Sequence, residues 1–157
     1  MSNQGVRGYY QITQTLKDTL LADVNVNTVT TGDISDVDLS KQTIFPLAHI
    51  IVNNATFQSN HWNLNISVLC MDIVDVSKDE VTDIFQGNTN EQDVLNTQLA
   101  VLNLLLSKLT RGTLYTDKYQ LEGNPTCEPF VDRFEHLLSG WACTFDVLIQ
   151  NDIDICN

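Results

Sequence analysis

Two long β-patterned runs joined by four polar residues constrain this chain more than any other feature. Residues 44–57 are rich in Ile, Val, Phe and Ala. Residues 62–73 alternate: Trp62, Leu64, Ile66, Val68 and Cys70 share one face, and Asn63, Asn65 and Ser67 open the other. Between the runs lies Gln58-Ser59-Asn60-His61, a polar, turn-like stretch. Successive strand side chains point to opposite faces, so this pair reads as a long antiparallel β-hairpin with one buried face. Pro46 falls near the start of the first strand, where a missing amide donor is tolerated.

The remaining segments must supply a cover for that face. Tyr9, Ile12, Leu16, Leu20 and Leu21 recur at helical spacing and predict an amphipathic helix of about three to four turns. Of Tyr9 and Tyr10, one is expected to face the core and the other solvent or a partner. Val24, Val26 and Thr28 alternate with polar neighbours, which predicts a short strand from near Asp23. Residues 32–41 are acidic, begin with Gly and contain two Ser, the pattern of an exposed loop. Residues 75–91 form a second polar, acidic segment, with a turn of helix expected at 81–85.

From Glu91 the helical period returns. Val94, Leu95, Leu99, Leu102, Leu105, Leu106 and Leu109 make one apolar stripe. Glu91 and Asp93 near its start and Lys108 and Arg111 near its end complement the helix dipole, and Gly112 is the expected stop. Residues 130–137 read as a strand anchored by Phe130 and Phe134, or as a helical turn. Ser139-Gly140 is the expected turn before Trp141, Cys143, Phe145, Val147 and Ile149, which alternate again. The order α-β-β-β-α-β-β predicts a two-layer α+β domain: a mainly antiparallel sheet with a long hairpin, covered by two α-helices. A length of 157 residues suits one domain, expected at 8–150, after a flexible arm at 1–7 and before a tail at 151–157.

Charge and motifs narrow the function. Eight Lys plus Arg against twenty Asp plus Glu leave a net charge of −12, the wrong sign for a general nucleic-acid or anionic-membrane binder. The most apolar stretches, 44–52 and 99–106, fall far short of the ~20 residues that span a bilayer. The polar N-terminus has no apolar h-region. A soluble chain is expected.

Cys70, Cys127, Cys143 and Cys156 are widely spaced with no C-x-x-C, so no zinc ribbon is expected. Cys70 and Cys143 read as small buried hydrophobes. A Cys127–Cys156 disulfide stays an open alternative that a cytosolic origin disfavours. His49, His61 and His136 show no paired metal spacing, and His49, in mid-strand, reads as structural. There is no G-x-S-x-G, P-loop or G-x-G-x-x-G. Asp33, Asp36 and Asp38, or Asp75, Asp79, Glu80 and Asp83, offer oxygens to a hard cation, but EF-hand spacing is missing. No catalytic residue, cofactor or metal ligand is expected, and both acidic segments read as solvated loops.

The polar arm leading into Gly8-Tyr9-Tyr10-Gln11-Ile12, the hairpin opening at Phe45-Pro46-Leu47-Ala48-His49-Ile50, the amphipathic second helix and the closing Gly140-Trp141 strand resemble tailed-bacteriophage proteins. The likeness is to tail-terminator or tail-completion proteins and to ring proteins of the head-to-tail connector. It covers residues 8–150, lies in topology rather than in an invariant motif, and leaves 75–91 as an insertion. It implies a non-catalytic subunit of a homo-oligomeric ring, hexamer or dodecamer, in the tail or neck of the virion and assembled in the host cytoplasm. The implied neighbours are portal, adaptor or tail proteins, and DNA passes through without specific binding.

The charge agrees with that picture, because lysines along a lumen would trap phosphates while carboxylates repel them. Asp33, Asp36 and Asp38 are the candidate channel-facing residues, and Tyr9 and Tyr10 the candidate subunit contacts. Sheet-edge pairing is an expected mode of assembly. Two other readings stand beside it: an acidic DNA-mimic inhibitor, whose carboxylates here are spread over loops, and a small calcium-binding interaction module.

Overall fold

A computed structural model describes residues 7–76, 80, 82–85, 87–111, 119–133 and 137–150. Its elements are α1 (Arg7–Leu21), β1 (Thr28–Thr31), β2 (Leu47–Gln58), β3 (His61–Ile73), α2 (Glu91–Arg111), β4 (Gln120–Arg133) and β5 (Leu138–Gln150). Arg7, assigned to the arm from sequence, opens α1. Residues 1–6, the tail 151–157, Gly112, Asp79, Phe134, His136 and Cys156 lie outside the described residues.

The hairpin forms as expected. β2 and β3 pair from Leu47–Met71 to Gln58–His61, with one register shift between Val52 and Asn54. Ser59 and Asn60 make a two-residue turn, and Ser59 takes a φ of 60°. The five strands lie in the order β1-β2-β3-β5-β4. Three ladders are antiparallel, and β1 runs parallel to β2. The result is an α+β fold with a mixed sheet.

Four local expectations are corrected. The first strand does not begin near Asp23. Asp23 instead turns the chain: its carboxylate accepts from the Asn25 amide (2.9 Å) and its carbonyl from the Val26 amide (3.1 Å). Short polar side chains offer the backbone this alternative to a ladder. At 81–85 the described residues form turns, not helix. Strand β4 starts ten residues before Phe130, in a stretch whose Gly123, Pro125 and Pro129 hide it from a pattern reading. Those residues are tolerated because β4 is an edge strand.

Ser139 and Gly140 belong to β5, and the reversal precedes them at Leu137, which has a φ of 54°. Gly140 serves close strand approach: a Cβ there would overlap the Cys70 carbonyl oxygen and crowd the Met71 Cα.

Both helices lie on one face of the sheet. Ile12, Leu16 and Leu20 from α1 and Val101, Leu102, Leu105 and Leu109 from α2 pack on Ala48, Ile50, Leu64, Ile66, Val68, Cys143, Phe145 and Val147. Trp141 Nε1 donates to the Leu95 carbonyl (2.8 Å), tying β5 to α2. A polar side chain intrudes in this layer. Gln98 of α2 is 1% exposed, and neither atom of its amide finds a partner among the described residues.

Candidate functional site

The opposite face of the sheet is where the predicted acidic residues lie. The chain leaves β1 at Gly32, where φ is 101°, and residues 33–45 cross that face before entering β2. Two short 3-10 turns shape the segment, Ile34–Asp36 and Gln42–Ile44. Ile34, Val37, Leu39 and Ile44 turn inward onto a second, smaller core of Phe45, Leu47, Met71, Phe130 and Leu138. The expected loop is thus an anchored cover.

Because positions 34, 37 and 39 point in, Asp33, Asp36 and Asp38 stand in solvent. The Asp33 carboxylate accepts from the Ser35 amide (2.9 Å), and that bond holds its carboxyl below the ordinary value of 3.8. Asp38 accepts from the amide (3.1 Å) and the hydroxyl of Ser40. These bonds orient two of the three charges on a fixed backbone.

His49 lies beneath the start of this cover, fully buried. One ring nitrogen, Nε2, is 2.8 Å from the Gly32 carbonyl, which can only accept, so Nε2 carries a proton. In the neutral ring, Nδ1 then accepts from the Thr30 hydroxyl at 2.6 Å. The histidine is a structural tie between β1, β2 and the cover.

Tyr9 and Tyr10 both stand outside the core, 48% and 74% exposed, against the expectation that one would enter it. Ile12, Leu16 and Leu20 already fill the buried stripe of α1. Tyr10 lines a groove of about 580 Å³ between α1 and β1, and Asp36 and Lys17 lie on the same groove. Asp33, Asp38 and Tyr9 do not line it.

Beyond the cover, the far half of this face carries a polar ladder that the sequence reading did not assemble. Asn53 Nδ2 donates to Asn65 Oδ1 and Ser67 Oγ, both at 2.8 Å. Asn65 Nδ2 donates to Asp146 (2.9 Å), Asn63 Nδ2 to Glu122 (2.9 Å), and Ser67 and Thr144 share a hydroxyl bond of 2.9 Å. The alternation of Asn63, Asn65 and Ser67 was the available signal. Their partners, Asn53 12 to 14 residues away and Glu122, Asp146 and Thr144 59 to 81 residues away, were not legible from it.

The cysteines Cys70, Cys127 and Cys143 are free thiols. Burial pushes the Cys70 and Cys143 thiols well above their usual range, so neither is an activated nucleophile. Among the described residues, no group of three or more His, Cys, Asp or Glu is placed to hold a metal ion, and no helix is long and apolar enough to cross a membrane. No protein-family model matches the chain, and no curated protein matches it.

Proposed function

We propose that this chain is a structural subunit of a closed ring in the head-to-tail connector of a tailed-phage virion. The ring joins capsid to tail, neighbours portal, adaptor or tail proteins, and surrounds the DNA exit channel. The observation that carries this reading is a pair of unlike sheet edges. At one end, β1 covers only the first four residues of β2, and the outer edge of 51–58, opposite its β3 partner, carries no strand among the described residues. At the other end lies β4, whose donors are thinned by Pro125 and Pro129. Two different edges suit a head-to-tail contact repeated around an axis, where one patch meets a different patch on the next copy.

The charge supports the channel role. Asp33, Asp36 and Asp38 on the rigid cover line or rim the passage and repel phosphates, so the duplex slides instead of binding. Tyr9 and Tyr10, amphipathic and open to solvent, belong to a neighbour contact. The test is the particle itself. Peptide mass spectrometry of purified virions should find the chain in a copy number that is a multiple of the ring symmetry. Its presence in infected-cell lysate but never in particles defeats the proposal.

A further inference from the structure

Cys70, Cys127 and Cys143 all belong to the apolar layer on the helix side of the sheet, and the strand register opposes two of them. Cys127 of β4 and Cys143 of β5 are direct cross-strand partners. Cys143 also faces Val68 of β3, while Cys70 faces Trp141, so Cys70 stands two positions off the Cys143 pairing. Directly opposed residues of an antiparallel ladder have Cα atoms about 4.5–5.5 Å apart, inside the span of about 4.4–6.8 Å that a disulfide accepts. A diagonal neighbour lies about 7–8 Å away, out of reach without backbone movement. Cys70 and Cys127 are on strands separated by β5, about 10 Å apart. Among these three thiols the register thus selects one pair, and the thiols of that pair are hydrogen-bonded to each other.

The two members are unequally exposed. Cys143 is fully buried; Cys127 is half-buried and lines the surface beside α2 together with Asn96 and Asn103. A reagent in solution meets Cys127 first, and of the described thiols only Cys143 is opposed to it. That is the arrangement of an attacking and a resolving thiol. The strand that carries Cys127 is held by an interrupted ladder. β4 is an edge, its register to β5 shifts on both sides of 126–130, and Pro125 and Pro129 have no amide hydrogen to donate.

We propose that Cys127 is a site of thiol–disulfide exchange with a small disulfide such as oxidised glutathione, and that Cys143 resolves the adduct into an intrachain Cys127–Cys143 bridge that staples β4 to β5. In the first step the Cys127 sulfur, having lost its proton, attacks one glutathione sulfur. The glutathione S–S bond breaks, and the departing thiolate takes up a proton. In the second step the Cys143 sulfur attacks the Cys127 sulfur, the mixed disulfide breaks, and the second glutathione leaves with the proton of Cys143. Two protein thiols are oxidised and one glutathione disulfide is reduced to two thiols. This chemistry is independent of the ring reading.

The full chain, folded and exposed to oxidised glutathione, is alkylated and mapped by peptide mass spectrometry. A Cys127–Cys143 bridge is expected, with Cys70 recovered as a free thiol. Cys156→Ser should leave the bridge intact. Cys143→Ala should halt the exchange halfway, with Cys127 as a stable glutathione adduct, and Cys127→Ser should leave Cys143 reduced. The oxidised wild type should melt about 5 °C or more above the reduced chain, because the cross-link restricts the unfolded state, and dithiothreitol should reverse the shift. Hydrogen exchange across β4 should slow. A wild-type chain that keeps all its thiols, stops at a Cys127–glutathione adduct, or bridges Cys127 to Cys156 or to a second copy overturns the proposal. So does a bridge that shifts neither the melt nor β4 exchange. The wild-type map decides even where Cys143→Ala fails to fold.

Discussion

The two faces of the sheet are built on different physical terms. Under α1 and α2 one continuous apolar layer runs from β2 to β4, and nearly every side chain in it is buried. On the opposite face, burial is confined to one end, beneath residues 33–45, and the other end is a hydrogen-bonded polar ladder open to water. The first face holds the domain together. The second is a presentation surface whose rigidity comes from a few anchors, and those anchors let charged residues stand at fixed positions without entering a core. The main core and the candidate channel-facing carboxylates Asp33, Asp36 and Asp38 thus lie on opposite sides of one sheet.

Substitutions can break or sharpen that contrast. The largest effect is expected on the helix side. Leu102→Asp buries an unpaired charge at a fully buried position and should cost more than about 4 kcal/mol, leaving little of a typical domain stability. Circular dichroism should show no cooperative melt; a wild-type melt would mean that α2 does not pack on the sheet. Gly140→Ala comes next. It forces the β3 and β5 backbones apart beside Met71 of the smaller core, at about 3 kcal/mol by chemical denaturation.

Gln98→Leu should act in the opposite direction. It removes two buried amide atoms without partners among the described residues and should stabilise by about 1–2 kcal/mol in the same assay. A destabilised Gln98→Leu would show that this amide is satisfied. Leu39→Ala, at a half-buried anchor of the cover, should cost about 1 kcal/mol. Its signature is local: faster hydrogen exchange across 33–45, with the α2 and β3 amides unchanged. Equal acceleration on both faces would break the comparison.

The smallest effects differ in sign with pH. Half-buried Asp72, at the helix-side end of β3, has its carboxyl raised by desolvation, although it accepts from the Ile73 amide (2.8 Å). The folded state holds that proton more tightly than the unfolded chain does. Its burial therefore costs stability above the folded pKa, and the cost fades as pH falls through it. Asp72→Asn should melt higher than wild type at pH 7 and lose that advantage in acid. Asp33 has the reverse sign. Its lowered carboxyl stabilises above the ordinary value of 3.8, and that contribution is lost as pH falls through the folded pKa. Asp33→Asn should melt slightly lower at pH 7, with the gap closing in acid.

Legibility followed periodicity. The hairpin, α2 and β5 were readable because each repeats at 2 or 3.6 residues for long enough to outweigh single exceptions. Strand β4 was not, since glycine and two prolines break its pattern and only its edge position permits them. The acidic residues were legible as residues; the alternation of Ile34, Val37 and Leu39 with Asp33, Asp36 and Asp38 meant a cover only once there was a sheet face to lie on. Tyr9 matched the helical stripe and still stayed outside, because α1 closes on the sheet only from Ile12 onward. Gln98 was invisible as a defect, since polarity at one position of an amphipathic helix implies nothing until its neighbours surround it.

By itself the amino-acid order determined the α+β class, the central hairpin, the two covering helices and a strongly negative surface, all of which follow from local spacing and composition. Tertiary structure alone decided that β1 joins in parallel, that β5 inserts between β3 and β4, and which groove Tyr10 and Asp36 share. Those outcomes depend on pairings between segments tens of residues apart. Such pairings are selected by the burial and hydrogen bonding of the whole sheet together, and no short window of sequence carries that sum.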